Sequence, residues 1–225
     1  PVHADHIERD ASQFSLLVLP NLGAMSEAQV ASVRRFVERG GGLLATGESS
    51  RFNEWGDPRP DFALADLFGA HVADPRRAGD EARRKRNASD TFHTYLRLSP
   101  ERRAQVDGPQ VGTEPTVTGH RHEVLRGFEE TDILPFGGVL EPLRVDAGAQ
   151  VPMTFVPAFP IYPPETAWMR EPKTDIPGLI LHSTAGGRRI AFLPADLDRR
   201  FGRDNLPDHG NLLASLFRWA AKDDT

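Results

Sequence analysis

The chain of 225 residues contains no cysteine, which excludes disulfides, thiolate metal sites and thiol nucleophiles. It has no apolar run near the ~20 residues that cross a membrane, and no signal peptide is visible at its start. A net charge of −5 gives no basis for expecting nucleic acid or an anionic membrane as a partner. We expect a soluble protein that binds neither, and we assign it to the cytoplasm, although cysteine content does not fix the compartment.

A segment near the start of the chain has the pattern of a βαβ unit. Residues 14–19 form a continuous apolar run, typical of a strand buried on both faces. Ser26, with Gln29 three residues later, matches a capping box that opens a helix. Residues 43–46 form the next buried strand, so the two strands are expected to be parallel. The helix carries one apolar stripe, formed by Val30, Val33, Phe36 and Val37.

This segment, LLVLPN…S…Q…FVERGGGLLATGE, resembles the class I glutamine amidotransferase-like domain. The resemblance is to the version called the β-galactosidase trimerisation domain, which is attached to some glycoside hydrolases. It extends over about residues 1–70 and 176–222. It implies a flavodoxin-like, amidotransferase-like three-layer α/β sandwich with a mostly parallel sheet.

The resemblance also bears on chemistry. In the catalytic amidotransferases, the strand that matches residues 43–46 leads into a sharp turn carrying a nucleophilic cysteine. Here that turn reads Gly47-Glu48-Ser49. The resemblance therefore argues for the fold and against the amidotransferase reaction.

The rest of the chain predicts further strands around an expected β-rich insertion. Within a single domain spanning 1–225, we place this insertion at about residues 91–160. The predicted strands are 2–7, 70–73, 91–98, 139–145, 150–156 and the hairpin pair 179–182 and 189–193, which turns at 185–187. The family normally has a strand and a helix before this start, and the chain begins without methionine. We therefore expect a piece cut from a longer chain.

Three other stretches receive simpler interpretations. Asp61 is expected to cap a second helix, and Asp208 to cap the last one, with a long charged loop between residue 196 and that helix. The basic run at residues 83–86 has no aromatic residue among its charges, so a solvated loop is favoured over a nucleic-acid patch.

Two predicted loops carry the polar residues that could form a site, because both follow strands of the expected sheet. They span residues 47–55 and 196–204. Their candidate catalytic residues are Glu48, Ser49, Glu54, Asp196 and Asp198. Their candidate ligand or interface residues are Arg51, Trp55, Arg199, Arg200 and Arg203. Paired carboxylates would suit acid–base chemistry, and the same charges would suit an ion-paired interface.

Ser49 has two interpretations. As a nucleophile it needs a strained turn and a nearby base, for which His182 and His209 are available. The Gly-x-Ser-x-Gly frame is missing, so the role of a turn or cap residue is favoured. The candidate metal-binding clusters are His120 with His122 and the acids of 196–208, and neither has a helical metal spacing, so we expect neither a metal nor a cofactor.

The segment 155–168 is rich in proline and aromatic residues. Prolines exclude a central strand. Phe159, Tyr162 and Trp168 suggest either a sugar-stacking platform or a partner interface, while a loop packed across the core is the simpler alternative.

Together these observations predict a non-catalytic accessory or oligomerisation domain of a multidomain glycoside hydrolase. Its expected partners are an upstream barrel domain, identical subunits, or both. One alternative is an autonomous hydrolase with a cleft between loops 47–55 and 196–204. Another is a carbohydrate-binding module that uses the 155–168 aromatic residues.

Overall fold

A computed structural model of the chain describes residues 1–74, 93–100 and 120–222, so the predicted basic run 83–86 lies outside the described residues. The described residues form five helices and nine strands. The helices are α1 (Ile7–Asp10), α2 (Glu27–Glu38), α3 (Ala65–Phe68), α4 (Leu197–Asp204) and α5 (Pro207–Ala221). The strands are β1 (Leu16–Leu19), β2 (Gly42–Thr46), β3 (Ala70–Val72), β4 (Tyr95–Leu98), β5 (Ile133–Pro135), β6 (Leu143–Val145), β7 (Gln150–Val156), β8 (Pro177–Ser183) and β9 (Arg189–Leu193). None of these helices is both long enough and apolar enough to cross a membrane.

Seven strands form one sheet in the order β1-β2-β9-β8-β7-β4-β5. The strands β1, β2 and β9 are parallel, while the other four pairings are antiparallel. The prediction of a mostly parallel sheet is therefore wrong, and the sheet is mixed. The antiparallel side begins at the short turn at 184–188, where the amide of Thr184 donates a 3.0 Å hydrogen bond to the carbonyl of Arg188, and β7, β4 and β5 continue it. Strands joined by so short a turn run antiparallel.

The β-rich region expected at about 91–160 continues this sheet. It contributes β4, β5 and β7 to the antiparallel side. The strand β7 has the predicted bounds, whereas the predicted strand 139–145 is reduced to β6. That strand pairs with β3 in a separate two-stranded sheet.

The predicted βαβ unit is confirmed as β1-α2-β2. The hydroxyl of Ser26 accepts the backbone N–H of Gln29 at 3.3 Å, and the Gln29 side chain accepts the N–H of Ser26 at 3.0 Å, so the capping box is complete. The apolar stripe of α2 is buried against one face of the sheet. This cluster includes Val30, Val33, Phe36, Leu43, Ala45, Ile190 and Phe192.

The last helix, α5, covers the opposite face. Successive side chains of a strand alternate between faces, so Leu44 points away from Leu43 and Ala45. Leu44 belongs to a second cluster built around α5. That cluster includes Ala191, Leu193, Leu212, Leu213 and Leu216. The strands β2 and β9 are therefore covered on both faces, which explains their continuous apolar sequences.

The start of the chain differs from its prediction. Residues 2–7 were expected to form a strand, but Ala4–His6 form a 3-10 helix and α1 begins at Ile7. Ile7 and Ala11 are the buried residues of this stretch. Their spacing of four is helical, so both reach the core beside α2 from one side of the chain.

The expected loop after β9 is also corrected, since α4 forms there. Leu197 and Arg200 are the buried residues of this helix, and Phe201 packs against the same core. Because a charged residue occupies one of the buried positions, the sequence lacks the continuous apolar stripe that would predict a helix. Asn205 ends the helix in the left-handed conformation, with φ of 50°.

Two predicted caps have other roles. Asp61 does not cap α3; its carboxylate accepts the backbone N–H of Val72 at 2.9 Å and ties the preceding chain to β3. Asp208 lies in the first turn of α5, whose N-cap is Leu206. The helix starts earlier than predicted because Pro207 fits the first helical position, where no N–H is needed.

Candidate functional site

A cleft of about 400 Å³ lies at the carboxyl ends of β2 and β9. Ligands of open α/β sheets commonly bind at this edge. Residues from both predicted loops line it. The full lining consists of Asn21, Gly47, Glu48, Phe136, Gly137, Gly138, Val139, Pro194, Asp196, Arg199 and Arg200.

The first wall of the cleft is the sharp turn after β2. Gly47 adopts a left-handed φ of 60°, and a Cβ atom there would lie 2.5 Å from Oδ1 of Asn21. That same oxygen accepts the backbone N–H of Glu48 at 2.9 Å. The turn therefore needs glycine for two reasons, its conformation and the close approach of Asn21.

Ser49 lies below this turn and is fully buried, with 0% of its surface exposed. Its hydroxyl accepts the N–H of Leu22 at 3.1 Å and lies 3.0 Å and 2.8 Å from the carbonyl oxygens of Leu19 and Thr46. This geometry favours a structural role for Ser49 in the turn over a role as nucleophile, because its hydroxyl already links two loops and is not exposed to solvent.

The histidines considered as bases for Ser49 make other contacts. The Nδ1 atom of His182 lies 2.8 Å from the carbonyl oxygen of Leu67. The Nε2 atom of His209 lies 2.8 Å from the carbonyl oxygen of Pro135. Neither ring has a hydrogen bond to Ser49.

The second wall is the start of α4. Asp196 forms an ion pair with Arg199, with 2.6 Å between Oδ2 and Nε. Burial raises the pKa of the Asp196 carboxyl above its ordinary value, and Arg199 offsets only part of that effect. A carboxyl group in this state is a candidate for acid–base chemistry.

Asp198 points back towards the sheet. Its Oδ2 atom accepts a 2.8 Å hydrogen bond from the hydroxyl of Thr46, while its Oδ1 atom is buried and has no partner among the described residues. This carboxylate holds α4 against the end of β2, and it does not line the cleft.

Arg200 is the most unusual residue of the cleft. Only 8% of it is exposed, and its Nε atom is buried without a hydrogen-bond partner among the described residues. Burial lowers the pKa of this guanidinium, with a further contribution from Arg203. Arginine nevertheless stays charged at any ordinary pH, so a positive charge lies at the wall of the cleft.

The third wall, residues 136–138, was not predicted. The hydroxyl of Thr94 holds it by donating to the carbonyl of Gly138 at 2.8 Å and accepting the N–H of Gly138 at 3.0 Å. Gly137 has a φ of 66° and lies against the guanidinium of Arg200. The paired glycines directly before the predicted strand 139–145 were the available signal.

Arg51 is buried beside the cleft without lining it. Both its Nη atoms lack partners in the described part of the chain, and burial lowers the pKa of its guanidinium. The other predicted residues, Glu54, Trp55 and Arg203, lie on the exposed surface. Trp55 is 83% exposed. The structure therefore brings together only part of each predicted loop.

The aromatic residues of 155–168 do not form one platform. Phe159 stacks on Tyr95, with 5.9 Å between ring centroids. The guanidinium of Arg170 covers Trp168 at 3.8 Å. Tyr162 is 82% exposed and has no ring contact with these residues. This arrangement does not favour the carbohydrate-binding alternative.

The predicted histidine pair has local contacts. His122 accepts the N–H of Val124 at 3.2 Å, and its ring meets that of Trp219 edge to face. No group of three metal-binding side chains occurs within residues 1–74, 93–100 and 120–222.

Two solved glycoside hydrolases contain the same fold. A β-galactosidase from Bacillus circulans sp. alkalophilus aligns with a TM-score of 0.55 and 15% identity, over 95% of this chain and 24% of that one. The α-L-fucosidase isoenzyme 2 from Paenibacillus thiaminolyticus aligns with a TM-score of 0.59 and 13% identity, over 96% of this chain and 26% of that one. The sequence matches no protein-family model and no curated protein.

The chain spans about a quarter of the length of these two enzymes. It therefore shares the fold of one part of a glycoside hydrolase chain. At such low identity the likeness concerns the fold alone and carries no residue roles.

Proposed function

We propose that this chain is a non-catalytic accessory domain of a larger glycoside hydrolase. The main support is the burial of Ser49 at the turn after β2. In the catalytic amidotransferases that this chain resembles, this turn carries the nucleophile. Its hydroxyl is held by backbone groups on two sides. The fold shared with one quarter of two glycoside hydrolases supports the same conclusion.

The finer fold is part of this proposal. We assign the chain to the amidotransferase-like three-layer class of the β-galactosidase trimerisation type. Support comes from the β1-α2-β2 unit and from α2 and α5, which pack on opposite faces of the sheet. The antiparallel strands β8, β7, β4 and β5 extend this core on one side.

The proposed role is assembly, with identical subunits or with an upstream barrel. The strand β1 is the terminal strand of the seven-stranded sheet, and Val18 on it is exposed, as is the preceding Phe14. An exposed apolar edge strand readily pairs with another chain. This edge is the proposed surface for self-association.

Light scattering coupled to size-exclusion chromatography tests the assembly role. We expect a dimer or trimer that Val18→Lys converts to a monomer, because a charge on an edge strand blocks strand pairing. Ile161→Lys is the matched control, since Ile161 is exposed but lies outside the sheet. A monomer at all concentrations would reject self-association. Docking on an upstream barrel domain would then be the assembly role left to test.

One observation favours an autonomous hydrolase as a second candidate. Glu48 and Asp196 line one cleft, and burial raises the pKa of Asp196, as an acid catalyst requires. A screen of nitrophenyl glycosides and esters tests this candidate. Turnover by the isolated chain that Asp196→Asn abolishes and Asp204→Asn retains would establish the hydrolase and reject the accessory role.

A further inference from the structure

The guanidinium of Arg200 poses a physical problem that the assembly role does not answer. The residue is more than nine-tenths buried, and its Nε atom has no hydrogen-bond partner in the described part of the chain. A buried N–H donor without a partner is destabilising, so this group calls for an explanation. The residue also lines the cleft, where a ligand can reach it.

The chemistry of the surrounding walls restricts what that ligand can be. Gly137 lets its backbone lie close to the guanidinium, since a Cβ atom there would be 3.3 Å from Nη1 of Arg200. Glu48 and Asp196 add carboxylate oxygens, which accept hydrogen bonds from hydroxyl groups. The volume of about 400 Å³ falls within the range of small-molecule sites.

We propose that this cleft binds a small hydroxy acid of the sugar-acid class. The ligand's carboxylate pairs with the guanidinium of Arg200, and its hydroxyl groups donate to the carboxylates of Glu48 and Asp196. A planar carboxylate matches the planar fork of an arginine through two parallel hydrogen bonds.

A monoanion fits this cleft better than a phosphate ester does. Glu48 and Asp196 both line the cleft, and the cations among its lining residues are Arg199 and Arg200. Arg199 is already paired with Asp196 at 2.6 Å. A dianion would therefore meet one available guanidinium and two carboxylates, whereas a single negative charge is neutralised by Arg200.

This site is independent of the proposed assembly role. The edge strand β1 carries the proposed self-association surface, and none of its residues lines the cleft. Either proposal can therefore fail without the other.

The test compares D-galacturonate with D-galactose, two sugars that differ only in the carboxylate at C6. Isothermal titration calorimetry on the whole chain, at fixed ionic strength, measures both. We expect galacturonate to bind with a Kd near or below about 1 mM and galactose at least about 10-fold more weakly. This comparison needs no variant, so a folding defect cannot obscure it.

Two variants locate the binding energy. Arg200→Lys keeps the positive charge but loses the planar guanidinium that can form two parallel hydrogen bonds. It should weaken galacturonate binding about 10-fold. Arg203→Lys is the matched control, because Arg203 lies on the same helix, is exposed and pairs with Asp204 away from the cleft. Thermal unfolding verifies that both variants are folded.

Each opposing result overturns the proposal. These are equal affinity for the two sugars, no saturation by galacturonate up to about 50 mM, and unchanged affinity in folded Arg200→Lys. Equal weakening by Arg200→Lys and Arg203→Lys would also overturn it, because the binding would then reflect general charge and not the cleft.

Discussion

The hydroxyl of Thr46 donates a 2.8 Å hydrogen bond to Oδ2 of Asp198, across 152 positions of sequence. The same hydroxyl accepts the backbone N–H of Asn21 at 3.0 Å. One side chain at the end of β2 thus connects the loop after β1, the strand itself and α4. These three segments bound the cleft, so its shape depends on this residue.

Removing that hydroxyl should destabilise the fold. Thr46→Val leaves the carboxylate of Asp198 without its hydrogen-bond donor, and its Oδ1 atom already lacks a partner in the described part of the chain. We expect a loss of about 1–3 kcal/mol in the free energy of unfolding, measured in urea. Thr46→Ser keeps the hydroxyl and should lose clearly less. An equal loss in both variants would assign the effect to packing.

Asp196 should make stability depend on pH. Its pKa is raised in the folded state, so the stability it contributes is full below its ordinary pKa of 3.8 and is lost as the pH rises through the folded value. The melting temperature of Asp196→Asn should therefore rise relative to that of the wild type from about pH 4 to about pH 7. Differential scanning fluorimetry measures this difference.

Asp204 provides the control for this pH dependence. It lies on the same helix, but a hydrogen bond from Arg203 lowers its pKa, so Asp204→Asn should show a slope of opposite sign. A relative melting temperature of Asp196→Asn that falls with pH would mean that the ion pair with Arg199 outweighs the effect of burial.

Alanine substitutions at Gly47 and Gly56 should distinguish the cost of a left-handed backbone from the cost of a steric clash. Both have a left-handed φ, 60° and 86° respectively, but a Cβ atom on Gly47 would lie 2.5 Å from Asn21 while one on Gly56 meets nothing within 4 Å. Gly56→Ala should cost about 1 kcal/mol from conformation alone. Gly47→Ala should cost at least about 1 kcal/mol more, as clashes in packed structure do. Equal losses by chemical denaturation would contradict the close approach.

Arg34 and Asp66 should show a measurable coupling. Two hydrogen bonds of 2.5 Å and 2.7 Å join their side chains and connect α2 to α3. A double-mutant cycle with Arg34→Met and Asp66→Asn should give a coupling energy of about 0.5–1 kcal/mol, a small value because Asp66 is largely exposed. The neighbouring pair Arg9 and Asp10 is solvated and serves as a control that should show no coupling. Additive losses at Arg34 and Asp66 would contradict the predicted link.

Local signals were sufficient for the first half of the sheet. The capping box of Ser26 and Gln29 fixed the start of α2, and the continuous apolar runs identified β1 and β2. The hairpin of β8 and β9 followed from its glycine turn. In each case the residues that decide the element lie within a few positions of one another, so tertiary packing had little to override.

Other elements depended on distant contacts. The helix α4 was predicted as a loop because Arg200, which lines the cleft, occupies its buried face. Asp61 was predicted to cap a helix, but its carboxylate is bound by the amide of Val72. A cap and a bridge to β3 use the same acceptor group, and the sequence does not distinguish them.

The candidate site divides in the same way. The sequence by itself determined the absence of a cysteine nucleophile and the presence of acids and arginines after two strands, because residue types fix which chemistry is available. Only the tertiary structure decided that Glu48, Asp196 and Arg200 line one cleft while Ser49 is buried and Trp55 is exposed. Strand order and helix placement set those distances and exposures, and they arise from packing across the whole chain.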